Sequence, residues 1–147
     1  MAFLRKHGLW IVVVVALLVL RSQRGGFSPE ELDAHCQQLM EEGKSAEALA
    51  WSREATDDDL RTIYEYDNDR TLEIIEEIYK LGAAKVTAVD IDVDPDFGET
   101  TDILIVTLPE NPTQRADLLQ YESQLAQWTG VGGTSDRGQK YLMLWWD

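Results

Sequence analysis

Asp102–Leu108 reads DILIVTL, and this nearly unbroken apolar run constrains the fold more than any other feature of the chain. A strand that alternates apolar and polar residues hides one face, whereas one that is apolar throughout needs cover on both. The run therefore predicts a sheet with this strand near its centre and helices packed against it. Lys85–Val93 (KVTAVDIDV) alternates Val89, Ile91 and Val93 with Ala88, Asp90 and Asp92, as a half-buried strand does. Asp94–Thr101 holds Pro, Gly and acids and reads as a loop, so these two strands are expected to pair as an antiparallel hairpin. Gln139–Trp146 (QKYLMLWW) reads as the last strand, after a flexible loop over Gly130–Gly138.

The helices announce themselves by their ends. Ser28 is placed as an N-cap, with Pro29 at the first helical position and Glu31 completing a capping box. Leu32, Cys36, Leu39 and Met40 then recur at helical spacing up to Gly43, and a second helix is expected over Ser45–Ser52. The stretch CQQLMEEGKSAEALAW resembles one helical hairpin of a tetratricopeptide repeat. That resemblance implies a peptide-binding array, but such arrays need at least about three copies and one is visible, so a plain helical hairpin is the reading. Thr56 is expected to cap a third helix, with Asp57, Asp58 and Asp59 against the positive end of its dipole. A fourth spans Arg70–Leu81 with Leu72, Ile75, Ile78 and Tyr79 inward, and a fifth runs from Asn111 and Pro112 to about Trp128.

The expected fold class is α+β. A helical part (27–68) precedes an α-β-β-α-β part (69–147), read as a two-layer sandwich with a three-stranded, mainly antiparallel sheet. In element order this second part resembles a ferredoxin-like fold lacking its first strand, a likeness that implies no activity.

Residues 1–26 form a separate unit in this reading, a membrane anchor and linker. Gly8–Leu20 (GLWIVVVVALLVL) is uncharged over thirteen residues, with Arg5 and Lys6 before it and Arg21 and Arg24 after it. Thirteen helical residues rise roughly 20 Å against a hydrocarbon core of roughly 30 Å. Phe3 and Leu4 lengthen the apolar stretch, and the basic side chains can snorkel to the headgroups. No small-residue cleavage site follows, so a single-pass, uncleaved signal-anchor is expected, with the body of the protein outside the cytoplasm.

That body is strongly acidic. Residues 27–147 hold nine basic side chains against all 27 acidic ones, a formal charge of −18. Such a surface repels phosphate backbones, so nucleic acid is an unfavourable partner, while basic proteins and cations are attracted at long range. Cys36 is the lone cysteine, so no internal disulfide can form.

Two constellations stand out as candidate sites. Asp90, Asp92, Asp94 and Asp96 present hard oxygen ligands two residues apart, the spacing of calcium loops, within the acidic segment Asp90–Glu99. Pro95 stands where an EF-hand loop needs its turn glycine and Thr101 where it needs a bidentate glutamate. The expectation is a weak calcium or magnesium site at most, and no other cofactor. The second candidate is an interaction surface of Tyr141, Trp145 and Trp146. Strand alternation sends Tyr141, Met143 and Trp145 to one face and Leu142, Leu144 and Trp146 to the other, and helices covering both faces would make both sets core. His35 and Cys36 are adjacent on a helix and point apart, and no phosphate loop, zinc spacing or nucleophile elbow occurs, so no enzyme is expected. The reading that remains is a membrane-tethered acidic protein-interaction module, with a divalent-cation-binding module as the alternative.

Overall fold

The computed structural model describes residues 28–129 and 133–146, and for 127–129 the backbone alone. Gly8–Leu20, and with it the expected membrane helix, lies outside the described residues. Among those residues no helix is long and apolar enough to cross a membrane.

The elements run α1 (Pro29–Glu41), β1 (Ala46–Glu47), α2 (Ala48–Arg53), β2 (Leu60–Ile63), α3 (Asn68–Lys80), β3 (Lys85–Val89), β4 (Asp92–Asp94), β5 (Gly98–Thr101), β6 (Ile103–Thr107), α4 (Pro112–Thr129) and β7 (Tyr141–Trp145). The class is α+β. The main sheet is antiparallel with strand order β1-β3-β6-β7, and a smaller sheet has the order β2-β5-β4.

The apolar run behaves as its composition demands. Ile103, Leu104, Ile105 and Val106 of β6 are all buried, because β6 has helices on both sides. Leu104 and Val106, with Val86, Ala88, Leu142 and Leu144 from the neighbouring strands, meet Ile74, Ile75 and Ile78 of α3, Leu118 and Leu119 of α4, and Trp51 of α2. Ile103 and Ile105, with Val89 and Tyr141, meet Cys36 and Leu39 of α1. The three-stranded, two-layer reading is thereby corrected: the main sheet has four strands and lies between two helical layers, and α1 supplies the second of them.

Other corrections follow from polar bonding that periodicity does not register. Ser28 and Glu31 do form the capping box that starts α1. After Gly43, however, the chain bonds as strand β1 before α2, so the expected helical hairpin does not form. Thr56–Asp59 is a turn, closed by Asp59 N–H to Thr56 Oγ1 at 3.0 Å, and it leads into β2 rather than a third helix. Only four residues separate it from Tyr64, and Thr62 and Ile63 are β-branched, which suits a strand. The expected strand Lys85–Val93 is broken at Asp90, whose φ is +49°. The expected loop after it is the β4–β5 hairpin, and β5 runs parallel to β2 so closely that a Cβ on Gly98 (φ +112°) would lie 2.4 Å from Leu60 backbone.

Candidate functional site

The acidic segment runs from the end of β3 through the β4–β5 hairpin. Alternation would have placed Asp90, Asp92 and Asp94 on one face, but the left-handed turn at Asp90 puts it between two sheets. Asp92 and Asp94 belong to β4, opposite Thr100 and Gly98, and Asp96 lies in the turn beyond. Asp94 Oδ1 accepts from the N–H groups of Asp96 (2.8 Å) and Phe97 (3.2 Å), so the carboxylate folds the turn. Among the described residues no three His, Cys, Asp or Glu side chains group in a way that could hold a metal ion.

A buried charge cluster of the small sheet escaped the sequence reading. Glu99 of β5 is 8% exposed. It accepts from Trp51 Nε1 at 2.8 Å and from Lys44 Nζ, and it lies 3.8 Å from Arg61 Nε on β2. Burial is the largest single influence on its carboxyl and opposes ionisation. The bonds from Lys44 and Trp51, with the charges of Arg61 and Lys44, outweigh it and hold the carboxyl below its ordinary range. A carboxylate so neutralised is a poor base, and the cluster ties α2 to the small sheet rather than offering reactivity. Glu122 on α4 is the reverse case. Burial pushes it up, although Gly133 and Thr134 donate their N–H groups to it at 3.3 and 3.2 Å. Cys36 is buried, and loss of solvent with help from Asp33 raises its thiol to about 12, so it is inert at neutral pH.

Large exposed apolar side chains do not converge either. Phe97 and Tyr64 are 68% and 43% exposed but stand at opposite ends of the small sheet, beside Leu60 and Thr101 respectively, and Val93 is exposed on β4. Singly exposed apolar groups are ordinary.

The aromatic strand is more informative. Tyr141 and Trp145 lie on the α1 face of β7, while Trp146 points the other way, buried, with its ring edge-on to Tyr66 at 6.4 Å between centroids. Tyr141 and Trp146 are core. Trp145 and Met143 are half-buried, and the path of α1 explains why. At the start of β7 the Asp33 carboxylate accepts from the N–H groups of Lys140 (2.9 Å) and Tyr141 (3.0 Å), and Tyr141 Oη bonds Gln37 Oε1 at 3.0 Å. Past the other end of α1, Lys44 O accepts from Ile91 N–H, just beyond the end of β3. The helix thus crosses the sheet diagonally, from the start of β7 to the end of β3. It covers Ile103 and Ile105 on β6 but leaves the corner at Met143 and Trp145 part-open.

The backbone at that corner is open too. Leu108 N–H bonds Lys140 O and Trp146 N–H bonds Asp102 O. With the β6–β7 register, this turns Leu142 and Leu144 towards β6 and Tyr141, Met143 and Trp145 away from it. Asp33 takes the Tyr141 N–H. Among the described residues, the outward amides of Met143 and Trp145 have no acceptor. Sequence alternation could place Trp145 on this face, but nothing in the sequence announces the diagonal helix that leaves it uncovered.

Comparison of the chain with protein-family models, with curated proteins and with solved structures yields no match.

Proposed function

We propose that this protein is a membrane-tethered interaction module whose acidic domain receives a basic partner at the Met143–Trp145 corner of β7. The observation that carries the reading is that corner, where half-buried apolar side chains and unpaired strand backbone coincide at the edge of a sheet otherwise covered on both faces. The domain's formal charge of −18 supplies long-range attraction for a basic partner, and Tyr141–Trp145 itself carries no charge that would have to be desolvated on docking.

The tether rests on Gly8–Leu20 and its basic flanks. It confines the domain to the membrane surface and raises the effective concentration of partners there. After alkaline extraction the full-length chain should stay with the membrane pellet, and Val14→Lys with Leu17→Lys should release it. A wild-type chain recovered in the supernatant contradicts the tether.

The corner is tested by fluorescence anisotropy of the full-length chain with a labelled peptide of alternating lysine and valine. Trp145→Ala should weaken binding tenfold or more, and Phe97→Ala should leave it unchanged. Equal binding by wild type and Trp145→Ala removes this corner as the site.

A further inference from the structure

The partner's form follows from the geometry of the same corner, and the argument rests on the interaction reading above. We infer that the partner docks as an extended basic segment that adds a strand to β7, and that Asp33 fixes where this strand must stop.

The corner offers a sheet edge. Among the described residues, the backbone N–H and C=O groups of Met143 and Trp145 have no partner, and they repeat every second residue along the strand. Only another extended backbone matches that repeat, and strand addition to an open sheet edge is an established mode of peptide capture. The first outward amide of β7, that of Tyr141, is held by Asp33 Oδ1 at 3.0 Å, with Lys140 N–H on the same carboxylate at 2.9 Å. Asp33 therefore occupies the place that the incoming strand's carbonyl would need, and the segment bonds Met143 and Trp145 without extending towards Lys140. Alternate side chains of the segment fall on the α1 side, beside Met143 and Trp145, and are apolar. Those between them project at the edge of the other face, where lysine or arginine can reach water. The charge of −18 favours such a basic segment over a second copy of this chain, which carries the same charge.

The test uses the full-length chain, the lysine–valine peptide, and two versions of that peptide N-methylated at one or the other alternate set of residues. Methylation removes peptide N–H donors on one edge of the strand only. Strand addition predicts that one methylated version binds at least tenfold more weakly and the other binds as the parent does. Met143→Pro should produce the same loss from the protein side, because it removes an outward donor and leaves the β6–β7 ladder intact, whereas Met143→Ala, which keeps that donor and removes only side-chain contact, should weaken binding clearly less than Met143→Pro. If both methylated peptides bind equally while Trp145→Ala still weakens binding, the strand mode is wrong and the corner stands. If Trp145→Ala has no effect, the corner itself is wrong. Concentration-dependent dimers that compete with the peptide would make a second copy the occupant and overturn the basic segment.

Discussion

The two edges of the main sheet are finished in different ways. At one edge β1 is two residues long and turns at once into α2. Glu47, its last residue, accepts from the N–H groups of Leu49 (3.1 Å) and Ala50 (2.7 Å) and from Tyr79 Oη, and Tyr79 Oη in turn accepts from Val86 N–H at 2.9 Å. One carboxylate thus closes the edge, starts α2 and ties both to α3. At the other edge Asp33 closes only the first residues of β7, and among the described residues nothing bonds the outward amides of Met143 and Trp145. Exposed edges invite pairing with other chains, and a sheet that closes one edge so thoroughly while leaving part of the other bare points to use of the bare part.

The largest expected effect falls on the closed edge. Glu47→Ala removes a helix cap and a half-buried tyrosine's partner together and should cost about 2 kcal/mol, measured by denaturant unfolding. The same residue sets a pH dependence. Burial opposes ionisation of Glu47 most strongly, but the bonds from Tyr79, Ala50 and Leu49 prevail and hold its carboxyl below the ordinary range. A group depressed on folding contributes stability above the usual carboxylate value of about 4.3 and loses that contribution as pH falls through its own lower value. The difference in thermal midpoint between wild type and Glu47→Gln should therefore narrow from pH 7 to pH 3; a constant gap would mean that ionised Glu47 is not what closes this edge.

Smaller effects are expected at β7. Asp33→Ala frees two amides near the surface and should cost about 1.5 kcal/mol in the same unfolding experiment, while lengthening the stretch of edge open to a peptide. Trp145→Ala should cost about 1 kcal/mol, because part of the ring is already in water. Met143→Pro should cost less still, since the donor it removes has no partner among the described residues. A loss above about 2 kcal/mol for this last variant would show that the Met143 amide is bonded and the edge is not open.

What the sequence announced and what it hid divide along the same physical line. Apolar burial leaves a periodic trace, and β6, β7 and α3 could be read from it, while the local capping residues Ser28 and Glu31 marked the start of α1. Asp102–Leu108 even implied cover on both faces, although the two-layer reading left the second cover out. The small sheet left no such trace. Its strands hold Arg61, Thr62, Glu99, Thr100 and Thr101, and their partners come from elsewhere in the chain: Trp51 and Lys44 for Glu99, Val89 O for Thr101 Oγ1 at 2.6 Å. Polar strands held by side-chain bonds across dozens of residues look like turns and loops when read locally. The same holds for the candidate site. Alternation placed Trp145, but its exposure depends on where a helix more than a hundred residues earlier crosses the sheet.

Amide hydrogen exchange along β7 in the full-length chain tests the open edge most directly. Leu142 and Leu144 should be protected by β6 and Tyr141 by Asp33, while Met143 and Trp145 exchange rapidly and become protected when the basic peptide is added. Met143 and Trp145 amides as slow as those of Leu142 and Leu144 in the protein alone would contradict the account, because the edge would already be covered.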